Sequence, residues 1–110
     1  MNNDDLNRSL STFLQTRGVR LVDYGSTEFG VSRNDAIFFM DLLNKTGQSP
    51  LGIEVWRQRG DKFAIDSLGG WYSEGSDIKE NLHAAKDFIR NAILANNDLL
   101  TIQYGSLQKK

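Results

Sequence analysis

The chain has 110 residues, of which 39% are hydrophobic and 25% charged, and its formal net charge at pH 7 is −1. This length suits a single domain over residues 1–110, and this composition excludes a chain too polar to form a core. No apolar stretch approaches the roughly 20 residues of a membrane-spanning helix, and there is no cysteine for a disulfide or a thiolate ligand. Because residues 1–5 resemble neither a secretory signal nor a transit peptide, we expect a cytoplasmic protein.

Apolar residues at helical spacing predict three helices, each between a capping residue and a stop signal. Their predicted bounds are residues 4–18, 32–47 and 77–97. Asp4 or Asp5 caps the first helix, and Ser32 begins the second, with Asp35 placed as in a capping box. The third helix begins at Asp77 and is the most regular. Its apolar face consists of Ile78, Leu82, Ala85, Ile89, Ala92 and Ile93.

Between the helices, the spacing of apolar residues changes to the period of β-strands. Strands are predicted at residues 19–24 and 99–104, and a hairpin at residues 51–67. The resulting order βαββαβ predicts an α+β, ferredoxin-like fold, in which a four-stranded, mainly antiparallel sheet carries helices on one face, plus an N-terminal helix. In an alternative α+β topology, residues 29–31 form a short strand that pairs with residues 20–24.

The apolar pattern also predicts the register of the hairpin. A three-residue loop over residues 58–60 sets Val55 against Phe63 and Ile53 against Ile65, which places four apolar side chains on one face. The other face then carries Glu54, Trp56, Lys62, Ala64 and Asp66. A tryptophan among charged residues is either a partner-binding residue or a core residue covered by the first helix or the C-terminal tail.

The residue types needed for catalysis or metal binding lack the usual spacing. His83 is the only histidine, and no HExxH, GxSxG or P-loop motif is present. A carboxylate pair such as Asp61 and Asp66 is weak evidence for acid–base chemistry, because fourteen acidic residues in a small domain approach one another by chance. We therefore predict no enzyme, no cofactor and no metal.

Residues 68–75 contain the most distinctive motif, in which glycines flank Trp71 and Tyr72. A phosphate-binding loop would instead lead from a strand directly into a helix and would carry a lysine. We interpret Gly69 and Gly70 as a tight bend that positions the two aromatic residues. These residues either anchor the loop, contact a partner or stack on a ligand.

The segment 61–80 is acidic. Its charged residues are Asp61, Asp66, Glu74, Asp77 and Glu80 against Lys62 and Lys79. Such a patch suits a basic protein partner better than a phosphate backbone, although an ordinary solvated surface has the same composition.

Four stretches resemble one known family. They are residues 29–36 (FGVSRNDA), 51–56 (LGIEVW), 70–72 (GWY) and 82–89, which together lie within more than half of the chain. In this combination they resemble bacterial immunity proteins, the small cytoplasmic antidotes to toxins of polymorphic and contact-dependent inhibition systems. The resemblance implies a protein without catalytic activity or cofactor that binds one toxin domain and blocks its active site or an exosite. The toxins are often nucleases with basic surfaces.

We therefore predict a toxin-binding immunity protein, a monomer or weak homodimer, with neither a nucleic acid nor a membrane as its partner. Aromatic residues would anchor the toxin and carboxylates would pair with its Lys or Arg side chains. The predicted interface residues are Glu54, Trp56, Asp66, Trp71, Tyr72, Glu74 and Asp77. The alternative is a ferredoxin-like regulatory or RNA-binding module, which needs exposed sheet-face aromatics flanked by Lys and Arg.

Overall fold

The protein is an α+β domain in the computed structural model, which describes residues 3–75 and 77–107. The helices are α1 (Asn3–Arg17), α2 (Arg33–Thr46) and α3 (Ile78–Asn91). The strands are β1 (Val19–Arg20), β2 (Phe29–Gly30), β3 (Ser49–Arg59), β4 (Lys62–Tyr72) and β5 (Leu99–Gly105), and a 3₁₀ turn covers Val22–Tyr24. No helix among the described residues is both long and apolar enough to cross a membrane.

The main sheet is antiparallel, with the strand order β4–β3–β5. Val31 adds a one-residue antiparallel bridge to Leu100, and β1 pairs with β2 through Val19 opposite Gly30. This is not the expected ferredoxin-like order, in which residues 19–24 would form an inner strand. Only two of those residues are extended, too few to fill an inner position beside the eleven residues of β3. As in the alternative topology, the first strand pairs with residues 29–30, but only Arg20 of residues 20–24 takes part and Val31 bridges to β5.

Local capping signals fix most helix ends. The Ser32 hydroxyl accepts a hydrogen bond from the Asp35 amide (3.3 Å), and Gly47 ends α2 in the left-handed conformation at φ 71°. Asp77 accepts hydrogen bonds from the amides of Lys79 and Glu80, so both predicted N-caps are confirmed. The predicted cap of the first helix is wrong, because α1 already begins at Asn3 and Asp4 and Asp5 therefore lie within its first turn.

The third helix ends at Asn91, six residues before the predicted stop. Arg33, in the first turn of α2, donates hydrogen bonds to the carbonyl oxygens of Ile89, Arg90 and Ala92. These carbonyls need no further helical turn, because the guanidinium satisfies them. Ile93, predicted on the buried face of the helix, is consequently 88% exposed.

The sheet is covered on both faces. The helices cover one face, and the fully buried residues there include Phe39, Met40, Leu43, Ile53 and Leu100. The segment between α1 and α2 covers part of the other face, where Leu21 packs with Trp56 and Leu99 against the half-buried Tyr24 and Phe63. The sequence predicted the first of these layers and left the second open, with a different segment as its cover.

The hairpin register differs from the predicted one. Its loop consists of two residues, Gly60 and Asp61, with Gly60 at φ 65°, as glycine favours at the first position of such a loop. Trp56 therefore opposes Ile65, and Val55 opposes Asp66. Since paired residues share a face, Asp66 lies on the helix side of the sheet and not with Glu54 and Trp56.

Candidate protein-interaction surface

The sheet face opposite the helices is left open near the end of β4. Tyr72 lies here, 57% exposed, with its ring against two glycines. A Cβ atom at Gly52 would come within 2.9 Å of the ring and one at Gly70 within 3.5 Å. The missing side chains therefore give the ring its position on the backbone of β3 and β4.

Residues from all three strands meet around the carboxylate of Glu54, in the central strand β3. Glu54 Oε2 accepts a hydrogen bond from the Tyr72 hydroxyl (3.4 Å), and Oε1 accepts one from Gln103 Nε2 on β5 (3.4 Å). Glu54 is half-buried, so its charge is only partly hydrated. The side chains of Glu54, Tyr72 and Gln103 thus form a flat polar group across the sheet.

A second carboxylate, that of Glu28, borders this group. Burial and the nearby charge of Glu54 raise the pKa of Glu28 above its ordinary value of 4.5. Glu54 also raises the pKa of Tyr72, with smaller contributions from burial and Glu28. Among the described residues paired across this face of β3, β4 and β5, none is Lys or Arg. We call Glu28, Gly52, Glu54, Tyr72 and Gln103 the Tyr72 platform; it favours a positively charged ligand group.

An acidic recess of about 510 Å³ adjoins the platform. Trp71, Tyr72, Glu74 and Glu80 line it, together with Gly70, Gly75, Asn81 and Ala84. The half-buried Trp71 packs against the helix-side core, while both glutamates are exposed. Buried Asn81 donates hydrogen bonds to Ser49 Oγ (3.0 Å) and to the Gly75 carbonyl (3.2 Å), which holds the wall of the recess.

Four of the predicted interface residues are therefore brought together. Glu54 and Tyr72 belong to the platform, and Trp71 and Glu74 line the recess next to it. Asp77 is exposed, but its carboxylate caps α3. Whether these residues bind a partner stays a prediction.

Trp56 and Asp66 lie elsewhere. Trp56 is only 5% exposed and donates a hydrogen bond from Nε1 to Thr101 Oγ1 (3.2 Å). It is a core residue, as the second interpretation allowed; among the described residues it packs with Leu21 and Leu99 against Tyr24 and Phe63, none of which belongs to α1. Asp66 pairs with Arg57 at 3.0 Å on the helix side. Trp56 is therefore buried, and Asp66, whose side chain is 28% exposed, lies on the other face of the sheet from Glu54.

Sequence reasoning missed Glu28 and Gln103 on the platform. Gln103 could have been found, since it alternates with buried Ile102 and so points to the open face. Glu28 carries no such signal, because its position depends on the short pairing of β1 with β2. Glu80 was noted only as part of the acidic segment.

The described residues contain no group of three His, Asp or Glu side chains that could hold a metal ion. His83 is exposed on α3 and lies 3.3 Å from Asp87. Comparison of the chain with protein-family models and with curated proteins found no match in either. What the platform and the recess offer chemically is recognition: an exposed aromatic ring and carboxylates from several elements.

Proposed function

We propose that this chain is a bacterial immunity protein that binds a cognate toxin domain with a basic surface, such as a nuclease, and occludes its active site or an exosite. The observation that supports the proposal most strongly is the Tyr72 platform, where an exposed ring lies beside two partly buried carboxylates. Exposed aromatic residues at the centre of a surface patch are typical of protein–protein anchors. The proposed protein acts in the cytoplasm, without catalytic activity or cofactor.

In the proposed complex, an Arg or Lys side chain of the toxin lies against the Tyr72 ring and pairs with Glu54 and Glu28. A cation over an aromatic ring contributes about 0.5–1 kcal/mol at an exposed site. The same cation relieves the repulsion between the two carboxylates. This repulsion, after burial, raises the pKa of Glu28. Glu74 and Glu80 extend the negative field and speed the encounter with a basic partner.

The alternative of an RNA-binding module has less support. Sheet-face RNA recognition uses aromatic residues flanked by Lys and Arg, which neutralise the phosphates. The open face of this sheet carries Glu28 and Glu54 beside Tyr72. These carboxylates would repel an RNA backbone, so we do not propose this function.

The proposal is tested with the reading frame adjacent to this gene. Its product, expressed in a bacterial host, should arrest growth, and coexpression of this chain should restore it. Titration calorimetry with the purified toxin domain should then show that Tyr72→Ala or Glu54→Lys weakens binding by about 30-fold or more, the loss typical of an interface hot spot.

Asp61→Lys is the matched control, because it reverses a charge at the loop end of the same hairpin, in an exposed residue. It should change the affinity by less than about twofold, as expected for a charge outside the interface. All three variants should melt within a few degrees of the wild type. Tight toxin binding that neither platform variant weakens would refute the role of the platform. If this chain protects the host against no product of an adjacent gene, that result would count against an immunity function.

A further inference from the structure

A second, apolar surface lies on the helices, away from the Tyr72 platform. An open groove of about 640 Å³ runs between α1 and α2. Phe13, Phe38 and Leu42 form its floor, and Arg8 and Arg17 lie among its lining residues on α1. Because α2 packs on the sheet face that the platform does not use, one partner could occupy the groove while another occupies the platform.

The floor of the groove is rigid and exposed at once. The rings of Phe13 and Phe38 stack with their centroids 5.5 Å apart and their planes 13° apart. Phe13 also contacts the buried ring of Phe39 at 5.7 Å, which fixes the stack to the core. Phe38 nevertheless remains 55% exposed in the middle of α2. A large, fixed and solvated aromatic side chain of this kind is typical of a docking surface.

The charges around the floor restrict what it can bind. Arg17 lies in the last turn of α1, whereas Arg8, about 13 Å away along the helix axis, already has an interaction within the chain. The other lining residues are polar hydroxyl or apolar residues, and none of those that line this described groove is Asp or Glu. An occupant that complements the groove therefore has an apolar side and a negative charge near Arg17.

We propose that this groove docks an acidic amphipathic helix of a partner protein. Its apolar side packs on Phe13, Phe38 and Leu42, and one of its carboxylates pairs with Arg17. An elongated groove that is open to solvent suits a helix better than a small molecule, which needs an enclosing cavity. A second copy of this chain fits less well, because a symmetric contact would bring the arginines of both copies together.

Peptide display on the full chain tests the proposal. The library consists of helical peptides of about 18 residues, about 27 Å long, with leucine on one side and Glu, Gln or Lys randomised along the edges. Peptides that bind the wild type are kept, and those that also bind Phe38→Asp are removed. Ile93→Asp is the matched control, since it places the same charge at a residue that is 88% exposed and outside the groove.

We expect Glu to be enriched at the edge positions of peptides that bind the wild type and Ile93→Asp but not Phe38→Asp. The best peptide should bind about tenfold more weakly to Arg17→Glu and equally well to Arg59→Glu, a charge reversal in the hairpin. Circular dichroism verifies the fold, and Phe38→Gln replaces Phe38→Asp if the latter does not fold.

Three outcomes would overturn the proposal: no peptide whose binding depends on Phe38, enrichment of Lys, or no preference for charge. Sedimentation of the chain without peptide distinguishes the remaining case. A dimer that Phe38→Asp converts to a monomer would assign the groove to a second copy and would refute the heterologous helix. None of these results depends on whether the platform binds a toxin.

Discussion

Replacing Asp98 with alanine removes a carboxylate that joins three segments of the fold. Asp98 Oδ1 accepts a hydrogen bond from the Gln58 amide in β3 (3.0 Å), and Oδ2 accepts from the Ala95 amide (2.9 Å) and from Arg57 Nη1 (3.0 Å). The side chain is only 4% exposed. Burial alone would raise the pKa of Asp98, but the two amides and Arg57 together lower it below its ordinary value of 3.8.

The expected loss of stability follows from this geometry. Removing one partner of a buried charge pair costs about 3–5 kcal/mol. The lower end applies here, because Arg57 keeps Asp66 and the Ile93 carbonyl as partners. An unfolding entropy of about 2.1 cal/mol/K per residue gives about 0.23 kcal/mol/K for 110 residues, so about 3 kcal/mol lowers the Tm by about 13 °C.

Thermal and urea unfolding followed by circular dichroism measure this loss at pH 7. Asp66→Ala is the matched control: it removes the other carboxylate of Arg57, but one that is 28% exposed, and should cost about 1 kcal/mol or less. Since the pKa of Asp98 is lowered in the folded state, its stabilisation is complete above 3.8 and is lost as the pH falls through the folded value. The difference between wild type and Asp98→Ala should narrow in acid. Equal losses for the two variants would refute the reasoning.

Two further substitutions probe the platform. Glu28→Gln should raise the Tm at pH 7, because the raised pKa of Glu28 means that its charge destabilises the fold above that pKa. The gain in Tm should vanish below pH 4.5, where Glu28 is neutral in both the folded and the unfolded state. A gain in Tm that does not depend on pH would contradict this cause. Gly52→Ala places a Cβ 2.9 Å from the Tyr72 ring and 2.8 Å from Gln103 Oε1, so both side chains must move. If the proposed function holds, it should weaken binding of the toxin domain by about tenfold. Gly105→Ala, with no neighbour closer than 3.4 Å, should leave the affinity unchanged, and equal affinities for both variants would show that the position of the ring does not matter.

Sequence predicted best what depends on a few adjacent residues. Ser32, Gly47 and Asp77 fix helix ends through hydrogen bonds or a backbone conformation within their own turn. The end of α3 could not be predicted in this way, because the guanidinium that caps it belongs to Arg33, 56 residues away from Ile89. The local hydrophobic pattern does not indicate which carbonyl groups a distant arginine contacts.

The hairpin shows a second limit. The predicted register gathered four apolar residues on one face and left Trp56, on the other, either exposed or covered by the first helix or the C-terminal tail. The observed register instead places Trp56, Ile65 and Phe63 on the opposite face, where Leu21 and Tyr24 cover part of them. An alternation pattern cannot predict which face is buried when a short irregular segment supplies the cover.

The same segment explains where the candidate site lies. Its cover over Trp56 stops near Glu28, and beyond that point β3 presents Glu54 and β4 presents Tyr72 to solvent. Two partly buried carboxylates that repel each other lower the stability of the fold, so packing does not account for them. Natural proteins retain such destabilising groups where binding requires them. If Glu28→Gln both stabilises the fold and weakens toxin binding, this trade-off, and not surface composition, is the reason that the carboxylate is present.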